Sequence, residues 1–413
     1  MINHDVDVAV IGAGPAGLAA AISARKHGAK KVMVLDRNSW LGGILPQCIH
    51  DGFGVEETGS SMTGPEYANM YIKMAKKQNV TVMNETMVLG FDKNHMIAAM
   101  NKDGLHKIKA VSIVLAMGCR EKTRWNIMIP GSRPSGIFTA GVAQAFINLY
   151  NIIPGKNIII LGSGDVGLIM ARRLKFEGAN VLGVIEILPF ASGLPRNVVQ
   201  CLDDYDIPLL LNHTITYIEG KDRLESITIT QVDENRNIIP GSEKKIKCDT
   251  LLLSLGLIPE NELANDVGIK IDELTSGPIV NQFLETTLPG VFACGNCLQV
   301  YDTVDALSID AKIAGKNAGE KIVAKKKKYA KTNPGNGIRY IVPQVVDKPG
   351  KIHMSLRVEK PGESTKLHVV AGGNEIYSKK LPWVNPANMV SLDIDIPAEI
   401  LEKGRDLEVY LDD

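Results

Sequence analysis

The sequence lacks an excess of either charge. Its 413 residues balance 46 Lys and Arg against 46 Asp and Glu, so nothing favours nucleic acid or an acidic membrane surface as a partner. No apolar run is long enough to span a bilayer. The start, Met-Ile-Asn-His-Asp-Val-Asp, lacks the basic stretch and cleavage site of a secretory signal. The cysteines Cys48, Cys119, Cys201, Cys248, Cys294 and Cys297 are too scattered for a secreted disulfide framework, and the expected compartment is the cytoplasm. One absence is local: in LGGILPQCIHDGFG, residues 41 to 54, Cys48 stands two residues before His50 with no second thiol in the segment.

What is present is one device written twice. DVAVIGAGPAGLAAAISARKHGAKKVMVLDR reads as a short apolar strand, a glycine turn, an alanine-rich helix closed by Gly28 and a second strand ending at Asp36. That order is the dinucleotide fingerprint. Gly12 permits the tight turn, Gly14 the approach of backbone to a pyrophosphate, and Gly17 the close packing of helix on strand. With Pro15 and Ala16 they open a helix whose free N–H groups and partial positive charge suit phosphates. Asp36, next to Arg37, is placed to accept hydrogen bonds from ribose hydroxyls.

The second copy, NIIILGSGDVGLIMARRLKFEGANVLGVIEI, carries Gly162, Gly164 and Gly167 in its turn and Glu186 at its second strand end. In both copies the acid lies 24 positions after the first glycine. Asp165 is a helix N-terminal residue favoured by the dipole. Glu186 would repel a ribose 2′-phosphate and no arginine immediately follows it, so this copy favours NAD over NADP, unless Arg172, Arg173 or Arg196 reaches a phosphate.

The chain resembles the two-dinucleotide-binding-domain flavoproteins, the pyridine nucleotide-disulfide oxidoreductase superfamily, over residues 5 to 325. Five motifs stand in that family's order: the first fingerprint, SIVLAMG ending in Gly118, the second fingerprint, LLLSLGLIPEN with Gly256, and TTLPGVFACGN ending in Gly295 and Asn296. The resemblance implies FAD in the first site and NAD(H) in the second. It also implies a ribityl contact at Asn296, where the family carries aspartate; an amide both donates and accepts. QCIHDGFG, LAMGCREKTRW, IPGSRPSGIFTAG and GSGDVGLIMARRL resemble flavoproteins paired with glycerol-3-phosphate-dehydrogenase-like partners, and subunits of opine, amino-acid and cyanide-forming dehydrogenase complexes.

The expected fold class is α/β: two Rossmann-like three-layer domains plus a small C-terminal all-β sandwich-like domain. The expected domains are a discontinuous FAD-binding domain, 1–120 and 258–325, an NAD(H)-binding domain, 121–257, a linker, 326–335, and the β domain, 336–413. The last rests on period-two alternation in KIHMSLRVE, MVSLDIDI and LEVYLDD, broken by PG, GG and NP turns. It lacks clustered catalytic residue types and reads as a docking or assembly module. The run KKKKYAKTNPGNG reads as a solvated linker.

Disulfide-reducing members of the family carry two cysteines just after the glycine pair, here Gly42 and Gly43; this chain has only Cys48, so a dithiol site is not expected. Cys48 is open to three readings: a peroxide-reactive thiol, a flavin-side contact working with His50, or a small residue packed against the ring. Cys48 and His50 are the candidate catalytic residues, His50 being the better acid or base. Cys294-Gly-Asn-Cys297 overlaps the flavin motif, and with no second clustered ligand pair no metal site is expected. The function expected is an FAD-dependent NAD(H) oxidoreductase exchanging electrons with a partner, such as a glycerol-3-phosphate dehydrogenase, another dehydrogenase subunit or a small redox protein. It would work as an oligomer or hetero-complex. An FAD subunit of an amine or opine-type dehydrogenase, or a non-catalytic nucleotide-binding assembly subunit, are the alternatives.

Overall fold

The computed structural model describes residues 1–321 and 329–412; the lysine run 325–328 lies outside the described residues. The chain divides into two compact units, Met1–Cys119 with Pro259–Asp413, and Arg120–Ile258.

In the first unit a strand, β1 (Ile2–Ile11), is followed by helix α1 (Pro15–Lys26) and strand β2 (Val32–Leu35). Val8, Ala9 and Val10 of β1 and all of β2 are buried, as expected of parallel strands covered on both faces. After β2 come β3 (Thr81–Met83), β4 (Met87–Phe91), β5 (Met96–Asn101) and β6 (Gly104–Leu115), giving the order β3-β2-β1-β6-β5-β4. The strand Val291–Ala293 adds to the far end of β6. Helix α1 is almost wholly buried because the helix Val304–Gly319 lies on it through small residues. A Cβ on Gly315 would fall 2.1 Å from the Ala20 carbonyl oxygen, so only glycine admits this backbone approach.

The second unit repeats the pattern. A parallel sheet runs in the order Leu209–Leu210, Asn180–Ile185, Asn157–Leu161, Thr250–Leu253, Ile137–Thr139. The helix Asp165–Phe176 follows the central strand, and a three-stranded antiparallel sheet built from residues 213–247 lies beside it in sequence.

The C-terminal strands form two sheets, of five and three strands, around their own apolar core. The first strand is Ala330–Pro334, inside the segment expected to be a linker, and it runs parallel to the last, Leu407–Leu411. Ala-Lys-Thr-Asn-Pro is poor in strand formers, yet Ala330 and Thr332 are buried in alternation with exposed Lys331 and Asn333. Tertiary burial, not propensity, makes this strand. Among the described residues no helix is long and apolar enough to cross a membrane.

Candidate functional site

The two glycine turns are built alike. In the first, Gly12 has φ +107°, and a Cβ there would sit 2.2 Å from the Ala116 carbonyl oxygen. In the second, Gly162 has φ +96°, and its Cβ would sit 2.1 Å from the Ser254 carbonyl oxygen. Gly17 and Gly167 lie close over the carbonyls of Gly12 and Gly162, so each helix starts pressed against its strand. Both helices begin at a glycine N-cap with no side-chain cap, at Gly14 and Gly164, a helix start suited to an anion, and in the second the Gly167 N–H donates to Ser254 Oγ at 3.2 Å.

The acids at the second strand ends match as well. The Ala13 N–H donates to Asp36 Oδ2 at 2.6 Å and the Asn38 N–H to Oδ1 at 2.8 Å. The Ser163 N–H donates to Glu186 Oε2 at 2.9 Å and the Leu188 N–H to Oε1 at 3.0 Å. Each carboxylate is buried, tied by one N–H to its glycine turn and by another to the residue two positions on. Glu186 receives two further donors, Ser163 Oγ at 2.6 Å and Ser192 Oγ at 3.1 Å. Asp165 accepts from the Leu194 N–H at 2.8 Å and the Asn197 amide at 2.7 Å.

A third matching part pairs Gly43, which the sequence already marks as a cofactor-site glycine, with Gly193, which it did not mark. Gly43 and Gly193 each lie seven residues after their acid, in Gly-Gly-Ile-Leu-Pro and Ser-Gly-Leu-Pro. Each brings its loop back onto its own turn. A Cβ on Gly43 would stand 3.0 Å from Gly14 Cα, and one on Gly193 2.8 Å from the Ser163 carbonyl oxygen. The shared Gly-(Ile)-Leu-Pro was a signal in the sequence, hidden by the one-residue difference in its length.

The first unit therefore gathers Gly12, Gly14, Pro15, Ala16, Gly17, Asp36 and Gly43, and Gly295 joins them, since its Cβ would fall 2.6 Å from that of Ala16. Arg37 is exposed. Asn296 Oδ1 accepts the Tyr301 N–H at 3.1 Å and its amide lies 3.5 Å from Cys119 Sγ, so this side chain fixes its own loop. Gly118 has φ +76° and accepts the Glu260 N–H at 3.0 Å. This cradle fits FAD: glycine faces for the pyrophosphate and a carboxylate retaining acceptor capacity for ribose. The second unit gathers Gly162, Gly164, Asp165, Gly167 and Glu186, while Gly256 ends the last strand's turn at φ +88°. Two of the three arginines that would have favoured NADP are engaged elsewhere. Arg173 pairs with Glu177 and Asn148, and Arg172 donates to the Gln200 carbonyl.

Cys48 packs at the foot of the helix Gly64–Lys77, where the Gly64 N–H donates to its carbonyl at 2.8 Å. Its sulfhydryl lies 3.5 Å from the Ile44 carbonyl, and burial pushes the thiol up to about 12. The His50 ring tilts against Phe53 at 5.1 Å. Cys294, which caps a single 3-10 turn, Gly295–Cys297, and Cys297, which ends it, are fully buried; burial holds Cys294 well above the usual thiol range and pushes Cys297 up to about 11. None of these three thiols is poised as a thiolate. Cys48→Ser is accordingly expected to leave flavin reduction by a nicotinamide within about twofold of the native rate. With its thiol pushed up by burial, Cys48 should be labelled by iodoacetamide at pH 8 far more slowly than a small-molecule thiol.

Residues 6–310 match the family model described as pyridine nucleotide-disulphide oxidoreductase. The chain is 26% identical over 343 residues to an NADH oxidase of Methanocaldococcus jannaschii, covering 78% of this chain and 70% of that protein. It is 25% identical over 312 residues to one of the subunits of opine oxidase from Agrobacterium tumefaciens, covering 70% of this chain and 61% of that relative. In fold it is similar to thioredoxin reductase of T. acidophilum, with a TM-score of 0.62 at 22% identity, covering 76% of this chain and 98% of the other.

Proposed function

Because the chain belongs to the pyridine nucleotide-disulphide oxidoreductase family, whose members use FAD and NAD(P)H, we propose that it oxidises NADH through a resident FAD and passes the electrons to a second protein. The observation carrying this reading is the duplicated site, with the same two backbone N–H donors on Asp36 and on Glu186. FAD, when bound, supplies a ring that accepts hydride from a nicotinamide and returns electrons to an acceptor.

This chain's residues supply orientation and charge. The N-terminus of α1 holds the pyrophosphate and Asp36 the adenosine ribose of FAD. Glu186, with Ser163 and Ser192 packed on it, accepts from the ribose of NADH and repels a 2′-phosphate. His50 is the side chain available to move a proton near the flavin; Cys48 stays protonated and packs. Without a second thiol beside Cys48, disulfide reduction is outside this reading.

The similarity to an opine oxidase component favours a second reading, in which electrons enter from an amine-oxidising partner. None of the three similar proteins named above supports a glycerol-3-phosphate dehydrogenase partner. Paired substitutions test the two-site assignment. Asp36→Ala is expected to purify with less than about a tenth of its FAD. Glu186→Ala is expected to keep its FAD while the KM for NADH rises about tenfold or more, the loss of a charged hydrogen bond. An unchanged KM for NADH in Glu186→Ala would remove NADH from the second site.

A further inference from the structure

The loop between β2 and the helix Gly64–Lys77 is anchored inside and apolar outside. Trp40, Ile44, Ile49 and Val55 are 44%, 56%, 42% and 46% exposed. Single exposed apolar residues need no explanation, but four within sixteen positions do. No Lys or Arg lies between Arg37 and Lys73, whereas Asp51, Glu56 and Glu57 fall inside the loop.

Nor is the loop loosely held. Its start is tied to the first glycine turn by the Gly42 N–H on the Ala13 carbonyl at 2.9 Å. Phe53 and Met62 exchange backbone hydrogen bonds at 3.1 and 2.9 Å. The buried Asp305 carboxylate accepts the N–H groups of Gly54 and Glu57, each at 3.1 Å. Glu57 is gripped by the Tyr67 and Tyr71 hydroxyls at 2.7 and 2.8 Å and by Lys312. These partners hold the Glu57 carboxyl below the usual range against the opposing effect of burial. With Glu57 paired internally, Asp51 and Glu56 are the acidic groups left at the exposed rim.

We propose that the loop spanning residues 38–62 is the docking surface for the protein that exchanges electrons with this chain, and that the partner presents an apolar patch rimmed by lysine and arginine. The inference rests on the reading that such a partner exists and adds where it binds and what it looks like. A fixed loop loses little entropy on binding. Its apolar residues supply a dry centre, and Asp51 and Glu56, with Lys312 taken up by Glu57, steer a basic partner while opposing a second copy of the loop. Because the loop begins on the turn that cradles the first nucleotide, a partner seated here stands beside the cofactor site.

The probe is ferricytochrome c, a small basic protein whose redox centre reaches an apolar surface ringed by lysines. Each reduced flavin gives one electron to each of two ferricytochrome c molecules and releases two protons. The flavin is reduced with NADH and, separately, photochemically, so that a failure of NADH to reduce it is told apart from a failure of docking. The kcat/KM for cytochrome c is expected to fall about tenfold as salt rises from about 20 to about 200 mM. It should also fall about tenfold in Trp40→Ser/Val55→Ser and in Glu56→Lys, while reduction of ferricyanide, which needs no docking face, stays within about twofold of native. Cytochrome c rates unmoved by these substitutions would overturn the proposal. So would a dimer in sedimentation equilibrium that Trp40→Ser/Val55→Ser dissociates, because the face would then belong to a second copy.

Discussion

Gly12→Ala is expected to purify without FAD and to be destabilised by about 3 kcal/mol or more. The residue holds φ +107°, where an L side chain is strained, and its Cβ would stand 2.2 Å from the oxygen and 2.8 Å from the carbon of the Ala116 carbonyl. Strain of about 1–2 kcal/mol adds to overpacking of about 1–3 kcal/mol, and the atoms in the way are backbone, which no rotamer change relieves. Moving Ala116 moves the end of β6 away from β1, whose Ile11 carbonyl accepts the Ala116 N–H at 2.9 Å. The matching substitution Gly162→Ala meets the Ser254 carbonyl and should impair NADH binding while FAD stays bound. The flavin-to-protein ratio and the melting temperature of both variants read this out. Full flavin content in Gly12→Ala would mean that the first turn does not carry the cofactor.

Arg357→Ala is expected to cost about 3–5 kcal/mol, because truncation strands a buried hydrogen-bond cluster. The guanidinium donates to the Pro386 and Ala387 carbonyls at 2.6 and 3.0 Å, to the Tyr340 hydroxyl at 3.0 Å and to the Val300 carbonyl at 3.0 Å, with its side chain 11% exposed. Val300 lies four residues past Asn296, and the neighbouring Gln299 amide donates to Ser355 Oγ at 2.6 Å. Tyr301, whose N–H holds Asn296, sends its hydroxyl to the buried Asp310. The β strands therefore grip the segment that follows the flavin motif. Calorimetry of the holoprotein should show the C-terminal strands and the rest of the first unit melting together, with the variant also holding FAD more weakly. Arg357→Lys should not restore it, since one ammonium cannot reach four acceptors on separate elements. A separate C-terminal transition with unchanged FAD affinity would return these strands to the role of an independent module.

The glycine turns, their helices and their acids were readable because each rests on local chemistry: a positive φ, a helix start, a carboxylate in register. Both acids, 24 positions after their first glycines, also engage their own turns, a contact that only the fold reveals. What could not be read depends on residues far apart in the chain. The Asp305 carboxylate that fixes Gly54 and Glu57 lies about 250 positions away, and nothing near either segment announces the other. The same holds for Gln299 and Ser355. Ser163 and Ser192 look like ordinary turn residues until the fold sets both hydroxyls on Glu186. Cys48 drew attention as a reactive type, while the upward push that burial gives its thiol is set by the fold around it, which composition does not reveal.

The central claim, that hydride passes from a nicotinamide in the second site to a flavin in the first, is tested most directly by anaerobic titration of the purified holoprotein with NADH, following visible flavin absorbance. The account predicts complete bleaching with about one equivalent of NADH per FAD, with NADPH far less effective. Bound FAD that NADH leaves fully oxidised would contradict it.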